Sequence, residues 1–273
     1  MFCDYYLHYY QQTPTLPVSP HIIIDFIACL DIRGYAGSTI LTFISALGHY
    51  YKVQDLNPPL SNYNVNRVVS SLAKKSGPDA RLPITLPILE DIITYLLSTH
   101  NRAYHLLLFK AVYLLAFFAC LRISEFAECT GLNPHVLQHN AITLYPNYFT
   151  VSFTTYKHSC HPIVIVVKAI PNASLCPHQA ISNYLKVRPA INGPLFIREG
   201  GTPLTRSYFN ENLKQALQHI GIPHKNYTSH SFRIGGATNA LLTGHTMEQI
   251  QLLGRWQSSA FRKYLRPFEL LAN

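Results

Sequence analysis

Tyr264 lies in Arg262-Lys263-Tyr264-Leu265-Arg266, a short cationic run that follows Leu252-Leu253-Gly254-Arg255-Trp256. A tyrosine set among cations is equipped to attack a phosphodiester. Phenol is a weak nucleophile near neutrality, with an unperturbed pKa of about 10, and nearby positive charge steadies both the phenolate and the phosphate it attacks. Breaking a nucleic-acid strand this way also needs donors clamped on the non-bridging oxygens and an acid for the departing sugar oxygen.

Candidates for each role are present. Arg122, in Leu121-Arg122-Ile123-Ser124-Glu125, and Arg233, in His230-Ser231-Phe232-Arg233, offer planar forks that match phosphate oxygens better than an ammonium does. His230 precedes Arg233 by three positions, so one helix would face both the same way. Trp256 supplies one indole N–H donor and no acceptor, so it could hold an oxygen but not shuttle a proton. Lys157 sits between two strand-like segments. Each residue also has a plainer reading: Arg122 as a helix-end charge paired with Glu125, Lys157 as a hairpin charge, His230 as a cap, Arg233 as a surface partner, Trp256 as a core aromatic. Tyr264 is one of 18 tyrosines.

The elements that must position these groups are mostly helical. Apolar spacing predicts helices over Ile22–Leu30, Thr39–Tyr51 and Val65–Lys74, separated by Gly34, Asn57-Pro58-Pro59 and Ser76-Gly77-Pro78. Breakers and charge concentrate between Ser76 and Pro83, which places a linker there and divides the chain into 1–81 and 82–273. Helices resume at Pro87–Thr99, at Tyr104–Leu121 and near Ile123. From Ala141 the pattern changes to Thr, Val, Ile, Tyr and Phe over Ala141–Tyr145, Tyr148–Tyr156 and Pro162–Lys168, predicting a three-stranded antiparallel sheet. Helices return at Pro177–Val187, Arg206–Ile220, His230–Leu242, Met247–Leu253 and Ser258–Leu265. The fold class read from this order is mainly α with a small antiparallel sheet.

Lys and Arg exceed Asp and Glu by 22 to 13, a formal charge of +9, which suits a polyanionic partner and equally suits general solubility. Cys3, Cys29, Cys120, Cys129, Cys160 and Cys176 form no regular framework, so reduced thiols and an intracellular compartment are expected. His158, Cys160, His161, Cys176 and His178 are near one another in sequence, yet no paired C-x-x-C spacing occurs and no metal site is expected. The opening residues lack a basic leader segment, and the longest apolar run, Leu106 to Leu121, is interrupted by Lys110 and shorter than the roughly 20 residues of a bilayer span. No membrane association is expected.

Taken in order, these positions resemble the tyrosine recombinases, also called the phage-integrase family. Leu121-Arg122-Ile123-Ser124-Glu125 matches the family's first arginine with an acidic residue three positions on. Thr155-Tyr156-Lys157-His158-Ser159 matches its hairpin lysine, and His230-Ser231-Phe232-Arg233 its H-x-x-R. Trp256 after Leu253-Gly254-Arg255 stands where members carry histidine or tryptophan, and Tyr264 follows eight positions later. The Gly-Arg-Trp pattern, with Arg-Leu-Pro-Ile-Thr at 81–85, looks most like recombinases of eukaryotic mobile elements. The resemblance implies a helical DNA-clamping domain over 1–81 and a catalytic domain over 82–273. Tyr264 would be the nucleophile, forming a 3′-phosphotyrosyl link, with Lys157 as general acid, Arg122, His230, Arg233 and Trp256 on the phosphate, and Glu125 as a brace. It implies duplex DNA as partner, a homotetramer on two DNA sites, no cofactor or metal, and a nuclear location.

Arg67, Lys74 and Lys75 in the first domain, with Arg255, Arg262 and Lys263 in the second, are the basic candidates for DNA contact. Two departures from the family pattern stand out. Only Met1–Tyr10 precedes the Gln11–Pro20 turn, which suggests a clipped first helix, and Pro267–Asn273 is short for exchange between protomers. The competing function is a non-catalytic DNA-binding descendant of such a recombinase. A metal-dependent nuclease would instead call for clustered carboxylates, which the 13 acidic residues do not form in sequence.

Overall fold

In the computed structural model the chain divides into two units, Met1–Ala80 and Arg81–Asn273. Residues 1–75, 80–99, 103–129, 135–156, 161–171 and 173–266 are described, without the side chains at 73–75 and 99. Lys157, His158, Cys160, the linker residues 76–79, the tail 267–273 and the side chains of Lys74 and Lys75 therefore lie outside the described residues.

The first unit contains helices α1 (Phe2–Tyr10), α2 (Pro20–Ile32), α3 (Gly37–Val53) and α4 (Tyr63–Lys75). Proline at the first position of α2 suits a helix start, where its missing N–H has no intrahelical acceptor to lose. Three- and four-residue spacing then builds one apolar face per helix. Ile23, Phe26, Ile27 and Leu30 of α2 pack with Ile40, Ile44 and Tyr51 of α3 and with Val65, Val69 and Leu72 of α4. Each such side chain contributes about 1.5–3 kcal/mol by leaving water. Tyr51 also satisfies its polar end, since its hydroxyl accepts from the Val18 N–H at 2.9 Å. Arg67 projects from the exposed side of α4.

The second unit opens with α5 (Leu86–Thr99) and α6 (Ala103–Phe118). From Leu108 to Phe117 every described side chain of α6 except Lys110 is buried, so this helix is the hydrophobic axis of the unit rather than a one-sided surface helix. The apolar run continues to Leu121, but the helix stops at Phe118. Cys120 adopts φ 46°, and that left-handed turn releases the carbonyls of Ala119 and Cys120 from the helical ladder. Two arginines use them, as described below.

A one-turn helix, α7 (Ile123–Phe126), follows. Strands β1 (Ile142–Leu144), β2 (Tyr148–Phe153) and β3 (Ile163–Lys168) then form an antiparallel sheet in the order β1-β2-β3, with Tyr148 opposite Lys168 and Phe153 opposite Ile163. Period-two alternation buries Phe149, Val151 and Phe153 of β2 with Ile165 and Val167 of β3, while Val164 and Val166 face outward. β2 ends at Phe153, three residues short of the segment read from composition.

Helices α8 (Pro177–Val187), α9 (Arg206–His219), α10 (Ser229–Leu242) and α11 (Met247–Gly254) complete the unit. Approach of α10 to the end of α6 is very close. A Cβ on Gly236 would lie 2.0 Å from the Phe117 carbonyl oxygen, and one on Gly235 would lie 1.8 Å from that of Ile84 in the segment before α5, so only glycine lets α10 come so near both. The last described element differs from expectation. Ser259–Tyr264 is a 3₁₀ turn rather than an α-helix, capped by the Ser258 hydroxyl, which accepts from Ala260 N–H.

Cys3, Cys29, Cys120, Cys129 and Cys176 are free thiols. Among the described residues no three His, Cys, Asp or Glu side chains gather as metal ligands, and no helix is long and apolar enough to cross a membrane.

Candidate active site

Glu125 organises the centre of the second unit. As the third residue of a one-turn helix, it reaches back to the chain entering that helix: Oε2 accepts the Arg122 N–H at 2.7 Å, and Oε1 accepts from Arg122 Nη1 at 2.9 Å. The same carboxylate accepts from Arg255 Nη2 at 2.7 Å and Nε at 3.3 Å. Glu125 is 1% exposed and Arg255 3%. Burial by itself would raise the carboxyl pKa, but the charges of Arg255, Arg122 and Arg233 outweigh it and hold the group below its ordinary value.

A consequence for stability follows from the sign of that shift. A carboxylate with a depressed folded-state pKa stabilises the fold fully above its unfolded value, near 4.5, and loses that contribution as pH falls through the folded value. Glu125→Gln leaves the Arg122 and Arg255 charges without their counter-ion, so it is expected to cost about 3–5 kcal/mol. Urea unfolding at neutral pH measures that loss, and repeating it down to acid pH should show a shallower acid limb in the variant than in the parent.

Arg255 is a correction to the sequence reading. Read from the sequence as a basic group for DNA contact, it is instead turned inward onto Glu125 from the αL position that ends α11 (φ 54°, ψ 46°). Besides Glu125 it donates to the carbonyls of Ala119, Cys120 and Leu253, and its guanidinium lies 4.1 Å from the Phe153 ring centroid. Its own carbonyl accepts from Arg122 Nη2 at 3.0 Å. Arg255 thus links the released end of α6, the sheet and Arg122.

α10 delivers two further groups. Thr228 caps it: its hydroxyl accepts from His230 N–H at 3.2 Å, and the Ser231 hydroxyl accepts from Thr228 N–H at 3.0 Å. His230 and Arg233 follow on one face. Arg233 is 1% exposed and donates to the Cys120 and Gly254 carbonyls. Burial, then the like charges of Arg122 and Arg255, pull its pKa down to about 9, which leaves it a cation at neutral pH. Trp256 stacks on this guanidinium, with 4.0 Å from its carbon to the ring centroid.

Tyr264 closes the group. Its ring stacks against Trp256 at 5.3 Å and 29°, meets His230 edge-on at 4.9 Å, and lies 6.0 Å from the Arg233 guanidinium. Arg122, His230, Arg233, Trp256 and Tyr264 line one open cavity of about 690 Å³, with Glu125 buried behind Arg122. Arg122 and Tyr264, which meet there, are 142 positions apart in sequence. Arg262 and Lys263 are exposed on the same 3₁₀ turn as Tyr264.

Arg81, Arg206, Asn210 and Ser229 also line the cavity, and local spacing did not single them out. Arg206 opens α9 and Arg81 precedes α5. The segment after Arg81 is held by Leu82 N–H to the Asn226 carbonyl and Ile84 N–H to the Ser231 carbonyl, which fixes it beside the start of α10. In the sequence, Arg81 stood out only as the start of the Arg-Leu-Pro-Ile-Thr run beside the linker, with no role of its own. Away from the cavity, Cys176 is buried at the start of α8 and His178 Nε2 lies 2.7 Å from the Tyr145 carbonyl oxygen, so these two have structural surroundings of their own.

No protein-family model matches the sequence, and no curated protein sequence is significantly similar to it. Solved structures are similar over nearly the whole chain. The Tn1549 transposon integrase in complex with circular intermediate DNA matches with a TM-score of 0.64 at 16% identity, over 92% of this chain and 81% of that one. The XerH site-specific recombinase, bound to palindromic difH substrate in a post-cleavage complex, matches with a TM-score of 0.64 at 13% identity, over 96% and 72%. A lambda integrase dimer bound to a COC′ core site gives 0.61 at 15% identity, over 93% and 66%. The fold is that of the tyrosine recombinases. Within this tyrosine-recombinase fold, the cavity is built entirely from the unit that begins at Arg81.

Proposed function

We propose that the chain is a site-specific DNA recombinase that cuts and rejoins strands through a 3′-phosphotyrosyl intermediate. One observation carries this reading: Tyr264, His230 and Trp256 share a single cavity with Arg122 and Arg233. Such a cavity pairs a phenol with two guanidinium forks, which is what phosphoryl transfer to tyrosine requires. DNA complexes among the structures of similar fold support the choice of substrate.

In this reading the Tyr264 phenol gives its proton to solvent in the open cavity, and its oxygen forms a bond to the scissile phosphorus while the bond to the 5′ oxygen of the next sugar breaks. Lys157 gives that oxygen its proton. Arg122, Arg233, His230 and Trp256 hold the non-bridging oxygens as charge grows on them. Attack by a 5′-hydroxyl from another strand reverses the step and joins a new partner. The phosphoester energy is conserved, so the cycle needs no nucleotide. Glu125 and Arg255 touch no substrate and hold Arg122 in place.

The first unit would clamp the duplex, with Arg67, Lys74 and Lys75 on phosphates, and Arg262 and Lys263 would do the same beside the nucleophile. Four protomers on two DNA sites, acting on nuclear DNA of a mobile element, complete the proposal. Contacts of this kind release counterions. Duplex affinity should therefore fall on the order of 10³-fold between about 50 and about 200 mM salt, measured by fluorescence anisotropy, and a flat response would contradict phosphate-dominated binding.

The direct test is covalent capture on a duplex nicked beside the cleavage point, which loses the short released strand and cannot religate. A denaturation-resistant protein–DNA band supports a recombinase. Tight duplex binding with no band supports a non-catalytic DNA-binding protein instead.

A further inference from the structure

A nucleophile carried on a six-residue 3₁₀ turn needs outside support, because 3₁₀ hydrogen bonds are poorly aligned and so short a turn is not stable alone. Two features hold it. Phe261, 3% exposed, anchors the turn in a small cluster with Cys120, Ala237, Ala240 and Ile250. The second is polar: Thr238 of α10, fully buried, places its hydroxyl against the backbone at the nucleophile itself. Thr238 Oγ1 donates to the Tyr264 carbonyl at 3.0 Å and accepts from the Arg266 N–H at 3.1 Å.

Thr238 also has an ordinary alternative, since its hydroxyl lies 2.8 Å from the Ile234 carbonyl in its own helix. One hydroxyl proton is shared between the two carbonyls. The bond accepted from Arg266 does not compete with either, so the grip on the turn persists whichever carbonyl takes the proton. Thr238 lies five residues after Arg233 on one helix. The same rigid element therefore places the arginine under the phosphate and fixes the backbone of the tyrosine.

We infer that Thr238 is a positioning residue that ties Tyr264 to its own chain's cavity, in register with Arg233. The inference rests on reading Tyr264 as the nucleophile. Thr238 touches no substrate and acts only through the turn.

The test compares Thr238→Val, which removes the hydroxyl at nearly constant shape, with Thr238→Ser, which keeps it. Trp256 is the chain's only tryptophan and its ring stacks on Tyr264, so its fluorescence reports whether that ring is seated. Valine should slow single-turnover adduct formation by about tenfold and leave duplex affinity within about twofold. It should also shift Trp256 emission in the direction seen for Tyr264→Ala, and serine should restore both signals. Adduct formation at the parental rate with unchanged emission overturns the inference. Equal losses of rate and duplex affinity with unmoved emission overturn it too, since that pattern marks general loosening. Should valine melt at the assay temperature, Thr238→Ala is read by the same signals. Failure of the parent protein to form any adduct sinks the nucleophile reading instead, and the emission comparison still decides whether Thr238 seats Tyr264.

Discussion

Tyr264→Phe is expected to abolish covalent capture of a nicked duplex while leaving duplex affinity within about twofold. The structure makes this a clean deletion. Among the described residues the Tyr264 side chain makes its contacts through its ring: the stack on Trp256, the edge toward His230, and the approach of Arg233. Phenylalanine preserves all three and removes only the oxygen that must bond to phosphorus. The backbone contacts through Thr238 are untouched, because they involve the Tyr264 carbonyl. A gel under denaturing conditions reads the outcome directly. An adduct that persists in the phenylalanine variant removes Tyr264 from its proposed role, and a large drop in duplex affinity would assign it to binding.

Arg122→Lys should lower the cleavage rate by roughly 10²–10³-fold, the range typical for losing one donor to a developing oxyanion. Charge is conserved in this change, so the loss must come from geometry. Arg122 uses Nη1 on Glu125 Oε1 and Nη2 on the Arg255 carbonyl, which fixes the guanidinium plane while its side chain stays 18% exposed at the cavity. A lysine ammonium cannot bridge both partners and still present a donor to the phosphate. Duplex affinity should change far less than the rate, since one cation among many contributes little to binding the polyanion. Single-turnover capture kinetics beside anisotropy titrations separate the two. Cleavage at near-parental rate would show that the fork is not engaged with the phosphate.

How legible this arrangement is in the sequence depends on the range of the interaction involved. Thr228, His230 and Arg233 lie within six residues, so a helix start with two groups on one face follows from local rules. Period-two alternation over Phe149, Val151 and Phe153 reveals a half-buried strand just as locally. Arg255 shows where local rules stop. In sequence it is one more cation before Tyr264, and only the early end of α6 at Phe118, with Cys120 in a left-handed turn, creates the buried carbonyls that draw it inward. Nothing in the apolar run to Leu121 signals that break. Thr238 is equally silent in the sequence, because a threonine inside a helix normally bonds back to its own turn and here also bonds across to Tyr264. Arg81 and Arg206 reach the cavity from elements 125 residues apart, a proximity that no periodicity encodes.

Arg122, Arg233 and Arg255 converge with a single buried carboxylate among them. Four backbone carbonyls, those of Ala119, Cys120, Leu253 and Gly254, share the remaining charge by accepting from Arg233 and Arg255. The end of a helix is a favourable place for such cations, because its carbonyls carry the negative end of the helix dipole. The cluster therefore keeps a net positive charge that a phosphate can complete.

The central claim is that one phenolic oxygen, out of 18 tyrosines, faces the scissile phosphorus. Trapping the protein on a nicked duplex, digesting both components and mapping the nucleotide-bearing peptide by mass spectrometry tests it most directly. The account predicts a nucleotide remnant on Tyr264 attached through a 3′ phosphate. A remnant on any other residue, or a 5′ attachment, would contradict it.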